Sequence, residues 1–258
     1  LGDRNFVAVG GDGTVNLTLN ALLQVEKKLS LPIGELCLGA IGVGSSNDFH
    51  KPFSNKNVTK FKSIPYRLNF SKKISADVGE LTINNSELKF FAVNSCIGAA
   101  ASGGLLLQKQ QGLIGKLKAV WVDGAIGLSA LDALMNYKAL NTNLKINGIE
   151  EKSTSLTNLS IVKNPHFGGS LCYDLDAKED DGMFGVYLCE NMNRKEILST
   201  FLGLYKKKFT GKKKTLSVKS SRIEVEANKP FPVEFDGETV EANHVRFSIL
   251  SQRVSLCR

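Results

Sequence analysis

The chain has 258 residues, of which 42% are hydrophobic and 22% charged, and a formal net charge of +8 at pH 7. This length allows two compact units, and the composition is that of a soluble globular protein, which excludes a fibrous or largely disordered chain. No apolar run approaches the ~20 residues that span a bilayer, and the basic-then-apolar pattern of a secretory signal is missing, so a cytoplasmic location is expected.

Cys37, Cys96, Cys172, Cys189 and Cys257 are scattered and odd in number, and His50, His166 and His244 are equally dispersed. Free thiols in a reducing compartment are expected, and neither a zinc site nor a Cys/His nucleophile is supported.

In chain order, Phe6 to Val9 is a short apolar run ending in glycines, and Val15, Leu19, Leu22 and Leu23 then recur at helical spacing: strand, tight turn, helix. A second buried strand is predicted at Leu36 to Ile41, followed by the loop Gly42-Val43-Gly44-Ser45-Ser46-Asn47-Asp48. Alternating strand and helix implies a parallel α/β sheet with ligands at the carboxyl ends of its strands.

After about Lys56 the pattern becomes β-rich. Ala76 to Ile83 and Leu88 to Ser95 are strand-like around an Asn84-Asn85 hairpin signal. Further strands are predicted at Leu159 to Lys163, Phe184 to Cys189, Leu216 to Lys219, Arg222 to Ala227, Val233 to Asp236 and Val245 to Leu250, a succession that suggests a sandwich or barrel. Two helices, Lys116 to Leu140 and Arg194 to Tyr205, interrupt it. The division expected is an α/β domain over residues 1–58 and a β-rich substrate domain over 59–258. Ala99 to Leu107, small residues and then leucines, offers either core packing or a groove for an acyl chain.

Three loops carry candidate chemistry. Polyphosphate is held by backbone amides that must approach it closely, and Gly10, Gly11 and Gly13 at a turn feeding a helix meet that need, unless they form only a tight turn. Thr14 adds a hydroxyl at the predicted N-cap, and Asp12 a carboxylate able to bind Mg²⁺ through water or to orient the cradle. Ser45, Asn47 and Asp48 follow the next strand and belong beside the first turn; Asn47 or Asp48 could equally cap a helix. Asp236-Gly237-Glu238 places two carboxylates at a strand end, suited to accepting an alcohol proton or holding a divalent ion, or simply forming a β-turn. Lys206 to Lys208 and Lys212 to Lys214 form a basic cluster suited to an anionic membrane surface or, otherwise, to a solvated loop.

Taken together, Gly10-Gly11-Asp12-Gly13-Thr14-Val15-Asn16, Gly44-Ser45-Ser46-Asn47-Asp48-Phe49, Asp181-Gly182 and Asp236-Gly237-Glu238 resemble, in order and over essentially the whole chain, the diacylglycerol kinase-like lipid kinases. The resemblance implies an α/β nucleotide-binding domain of NAD kinase/diacylglycerol kinase-like type, N-terminally incomplete, followed by a β-sandwich-like domain, with the active site between them. It implies an enzyme that transfers the γ-phosphoryl group of ATP to the hydroxyl of a membrane lipid such as diacylglycerol. Gly10, Gly11, Asp12, Gly13, Thr14, Val15, Asn16, Ser45 and Asn47 would bind ATP, and Asp48 would serve the substrate. Glu238, Asp236 and Asp12 would serve catalysis, with Glu238 preferred as base and Asp236 as its partner. Bacterial members hold a structural Mg²⁺ by one aspartate and backbone carbonyls, matched here by Asp181, Lys178 and Met183. An acidic surface turn is the other reading of that segment.

The partners expected are a membrane lipid and the anionic inner face of the membrane, contacted peripherally. Nucleic acid is not expected, and a homodimer is left as an option. The alternatives to a lipid kinase are a non-catalytic nucleotide- or lipid-binding regulator of the same fold and an NAD kinase-like enzyme. The second loop departs from the family in carrying Gly42 where proline is common and Ser45 where threonine is.

Overall fold

The computed structural model describes residues 3–51, 58–109, 137–147, 149–174 and 178–257, with the backbone alone at 104, 106–109 and 150. Most of the helix predicted over Lys116 to Leu140 lies outside these residues. Its described end is irregular at 137–139 and enters a strand at Leu140.

The chain opens with strand β1 (Asn5–Gly10), helix α1 (Asp12–Lys28) and strand β2 (Cys37–Gly42), with β1 and β2 parallel in the register Asn5 to Cys37 through Gly10 to Gly42. Val15, Leu19, Leu22 and Leu23 form the buried stripe of α1, as their spacing requires. Asn47 then leads into a single 3-10 turn, Asp48–His50, followed by two short strands, β3 (Lys60–Phe61) and β4 (Ile64–Arg67), the latter antiparallel to β2.

The β-rich part comprises β5 (Lys73–Ile83), β6 (Glu87–Phe91), β7 (Asn94–Gly98), helix α2 (Ala99–Lys109), β8 (Leu140–Ile146), β9 (Ile149–Val162), β10 (His166–Phe167), β11 (Leu171–Cys172), β12 (Phe184–Glu190), helix α3 (Arg194–Leu204), β13 (Thr215–Ser220), β14 (Arg222–Phe235) and β15 (Glu238–Cys257). Asn84 and Asn85, both at positive φ, make the predicted tight hairpin between β5 and β6. Asn193 caps α3 through a capping box with Glu196.

Two long strands replace shorter predicted ones. Arg222 to Ala227 and Val233 to Asp236 belong to the single strand β14, whose register against β15 breaks between Glu226 and Phe231. Pro230, which cannot donate to a ladder, lies in that break. β14 pairs with β8 before the break and with β7 after it, and β9 likewise spans both β7 and β8, so bent strands fold the sheet around one core. That core includes Leu81, Phe91, Ile161, Phe184, Val225 and Phe247, with Phe91 and Phe184 stacked at 5.7 Å.

The strand β15 reaches further than Val245 to Leu250. Past a bulge between Leu250 and Val254 it continues antiparallel to β5, and Ser255 and Leu256 lie parallel to Cys37 and Leu38 of β2. The core against α1 therefore draws Ala76, Val78, Val93, Val254 and Leu256 from beyond residue 58. The pairing of β15 with β2 joins both parts into one hydrogen-bonded network of thirteen strands among the described residues.

Candidate active site

The first two loops meet through glycine. β1 and β2 end side by side, and a Cβ on Gly44 would stand 2.3 Å from Gly11 Cα, so the backbones pass at a distance that no side chain permits. Asp12 then straps the loops together: its carboxylate accepts the amides of Asp48 (3.0 Å) and Phe49 (2.8 Å). Asn164 grips the same segment from behind, donating Nδ2 to Asp48 O at 2.8 Å, and the buried Asp48 carboxylate pairs with Lys51. Burial and the nearby Asp48 raise the Asp12 carboxyl despite the two amide bonds.

The third loop closes over α1. Asp236 and Gly237, at φ 46° and 92°, form the two-residue turn between β14 and β15, the arrangement that an Asp-Gly pair favours. Asp236 is buried, and its carboxylate accepts the amides of Ala92 (2.6 Å), Val93 (3.0 Å) and Asn94 (2.9 Å) as well as Asn16 Nδ2 (3.2 Å). Burial nonetheless pushes this carboxyl up to about 6. Asn16 also donates to Phe90 O, so it fastens α1 to β6 and to the third loop at once.

These loops form the polar end of a cavity of about 510 Å³. Gly11, Asp12, Gly13, Ser45, Asp48 and Asp236 all line it, so six of the residues singled out in the sequence converge on one space. The other end is apolar: Ile197, Phe201 and Leu204 of α3 face Phe167, Tyr173 and Phe209. Tyr173 stacks on Tyr187 at 3.7 Å and donates its hydroxyl to Ser160 at 2.8 Å, which makes that wall rigid. Ala99, Ala100 and Gly103 from the predicted groove also line the cavity, while the side chains of Leu106 and Leu107 lie outside the described ones.

Several expectations require correction. The N-cap of α1 is Gly11 rather than Thr14, because the helix begins one residue after the glycine pair. Val15 faces the core and Asn16 is spent on Asp236 and Phe90, so neither side chain is open to a nucleotide. Asn47 binds its own loop, donating to Gly44 O and accepting from Gly44 N. Glu238 is exposed and stands outside the cavity wall.

At the expected metal site the structure places a lysine ammonium. Asp181 and Met183 do converge, but on the ammonium of Lys163, with Asp181 also bound to Lys219, while Lys178 is exposed. No cluster of three or more His, Cys, Asp or Glu among the described residues is arranged to hold a metal.

Sequence reasoning missed Glu234. This half-buried carboxylate lines the cavity two residues before Asp236, accepts from Gly237 N at 2.7 Å and from the Cys96 thiol at 3.3 Å, and is pushed up to about 7 by burial and, to a smaller extent, by Asp236 and Asp12. The signal available was strand alternation, which puts Glu234 on the face opposite the buried Val233 and Phe235, just before the Asp236-Gly237 turn.

Residues 3–81 match the diacylglycerol kinase catalytic domain, and residues 117–258 match the YegS C-terminal NAD kinase beta sandwich-like domain. The chain belongs to the diacylglycerol kinase-like lipid kinase family. It is 22% identical over 233 residues to the diacylglycerol kinase of Bacillus subtilis (strain 168), covering 90% of this chain and 70% of that protein. The diacylglycerol kinase of Staphylococcus aureus (strain JH9) is 25% identical over 233 residues, covering 90% of this chain and 67% of that protein. Its fold is that of a Bacillus anthracis str. Sterne diacylglycerol kinase crystal structure, with a TM-score of 0.61 and 15% identity over 98% of this chain and 76% of the other. In this lipid kinase family member no helix among the described residues is long and apolar enough to cross a membrane.

Proposed function

We propose that this family member transfers the γ-phosphoryl group of ATP to the hydroxyl of a membrane lipid such as diacylglycerol. The observation that carries the reading is the two-ended cavity, polar where three loops meet a helix start and apolar where α3 covers the sheet. Its two ends suit a polyphosphate and an acyl chain.

At the polar end, the amides of Thr14 and Val15 both reach Gly11 O, and those just ahead of them are the orphan donors of a helix start, suited to phosphate oxygens. Ser45 offers a hydroxyl from the facing loop. The raised Asp12, Glu234 and Asp236 carboxyls stand together without an ammonium among their described hydrogen bonds, which fits a divalent ion arriving with the nucleotide. Asp12 would hold Mg²⁺ there, and the ion would offset charge on the phosphates.

For the alcohol proton, Glu234 is the better acceptor than Asp236, whose oxygens already take four N–H donors, or Glu238, which stands outside the wall. A carboxyl near pH 7 suits a base working at neutral pH. The attacking oxygen loses its proton to Glu234 as it bonds to phosphorus, and the bond to the ADP leaving oxygen breaks in line.

A membrane would deliver the lipid along α3. Leu198, Leu202 and Tyr205, 40%, 53% and 50% exposed, form an i, i+4, i+7 stripe on the helix whose other face lines the apolar end. Lys206, Lys207, Lys208 and Lys213 beside it are exposed. Peripheral contact with an anionic inner membrane face fits this combination.

Labelled ATP incubated with the folded protein, Mg²⁺ and a panel of lipids in anionic vesicles tests the proposal. Label should appear on a lipid hydroxyl, and Glu234→Gln should slow transfer by about 10²- to 10⁴-fold and remove the ionisation near neutrality from the pH profile. No labelled lipid from any member of the panel would sink the reading. Vesicle binding that ignores salt would remove the membrane contact from it.

A further inference from the structure

Lys163 presents an ammonium ion in the interior of the protein. Its side chain is 2% exposed, at the end of β9 where the sandwich meets the sheet of β1 and β2. Nζ donates to Asp77 Oδ2 at 2.8 Å, Asp181 Oδ1 at 3.1 Å and Met183 O at 2.9 Å. An ammonium has three N–H donors, and all three are used.

The acceptors bring together segments remote in sequence. Asp77 lies on β5, and its carboxylate also accepts Gly182 N (2.8 Å) and Gln252 N (2.9 Å). Gln252, at φ 49°, sits in the β15 bulge, just before the residues that pair with β2. Two carboxylates, a backbone carbonyl and a bulge are thus organised around one positive charge. Oxygen donors of this kind also suit Mg²⁺ or Ca²⁺, but those ions require oxygens at ~2.0–2.6 Å and deprotonated, unoccupied lone pairs. Here the spacing is that of N–H···O bonds, and the second Asp181 oxygen is taken by Lys219 at 2.9 Å.

We infer that the Lys163 ammonium is the resident cation of this junction, taking the place of the divalent ion that the family resemblance implies at Asp181 and Met183, so that the junction assembles without a metal. The substitution is a matter of charge and donor count: one cation with three directed hydrogen bonds satisfies three inward-facing oxygens that would otherwise need a metal ion. Removing the ammonium while leaving space should convert the junction into a divalent-cation site built from Asp77, Asp181 and the Met183 carbonyl.

Thermal unfolding of the nucleotide-free protein, with and without chelator, tests this together with metal analysis after exhaustive dialysis. The Tm of the wild-type protein should not move on chelation, and no Mg²⁺ or Ca²⁺ should be retained. Lys163→Ser should lower Tm in chelator and recover by roughly 5 to 10 °C when Mg²⁺ or Ca²⁺ is supplied at about 100 times its Kd. The inference is overturned if chelator lowers the wild-type Tm, if the wild-type protein retains an ion that Asp181→Asn loses, or if neither ion raises the Tm of folded Lys163→Ser. Should Lys163→Ser not fold, the two wild-type measurements decide alone.

Discussion

Two carboxylate hubs, both buried in one strand network, hold loops in place by different means. At the active-site end, Asp236 gathers three backbone amides and Asn16 Nδ2, all neutral donors. At the junction, Asp77 and Asp181 share the Lys163 ammonium and Lys219 pairs with the second Asp181 oxygen, so two carboxylates meet two ammonium groups. Neutral donors orient a carboxylate without cancelling its charge, so the Asp236 hub keeps negative potential beside the cavity, where a cation-bearing nucleotide would answer it. The Asp236 hub is left electrostatically incomplete, and the junction hub is closed by its two lysines.

The largest effect should come from Asp236→Ala, which strands four N–H donors in one place. At ~1–3 kcal/mol per unsatisfied donor, with partial rescue by water from the cavity, a loss of roughly 4–6 kcal/mol is expected in urea unfolding. Transfer activity should vanish with it. Lys163→Met comes next, at about 3–5 kcal/mol, because it leaves the buried Asp77 without its cation, and Asp181 with Lys219 alone, in a space that Met fills. If Lys163→Met proved harmless, the charge-balanced description of the junction would be wrong.

The hubs should also respond to acid in opposite directions. Burial raises the Asp236 carboxyl from 3.8 to about 6, so its contribution is fully present below 3.8 and is lost as pH rises through 6, a change of about 3 kcal/mol. Burial acts to raise Asp181 as well, but the hydrogen bond from Lys219 and the charge of Lys163 outweigh it and hold that carboxyl below 3.8. Its contribution is present above 3.8 and disappears as pH falls below it. Wild type compared with Asp236→Asn should therefore show an advantage that shrinks between pH 4 and 6. Against Asp181→Asn the advantage should hold over that range and fail only in stronger acid. Parallel slopes for the two pairs would contradict the contrast.

Only one hub was legible in the sequence. The Gly10 to Asn16, Gly44 to Phe49 and Asp236 to Glu238 segments announced themselves by glycine and carboxylate spacing, since a turn without Cβ has few other uses, and the structure brings their loops to one cavity. What Asp236 and Asn16 bind could not be read, because apart from each other, 220 residues away, their partners are the backbone atoms of Phe90 and residues 92–94, which leave no residue signature. Lys163 was seen only as the end of a strand: a lysine closing an apolar run looks like a solvated terminus, and its burial depends on Asp77 and Asp181, both distant in sequence. Glu234 was hidden by its neighbour, for the Asp-Gly-Glu motif drew attention forward to Glu238 and away from the residue just before the turn.

Peripheral members of each hub sharpen the contrast at smaller scale. Asn16→Ala removes one of four donors to Asp236 and leaves Phe90 O without its shortest partner, so a loss of about 1–2 kcal/mol is expected. Lys219→Met should cost less, about 0.5 kcal/mol or under. The Lys219 side chain is 38% exposed, so water and salt already screen its bond to Asp181, and Lys163 supplies the buried charge whether or not Lys219 is present. Raising ionic strength should erase this small difference while leaving the Lys163→Met deficit in place, because screening reaches a half-exposed ammonium and not one enclosed among its acceptors. If Lys219→Met instead cost as much as Lys163→Met, the two lysines would be sharing one charge-balancing role, and the resident cation of the junction would be a pair of ammonium groups, not Lys163 alone.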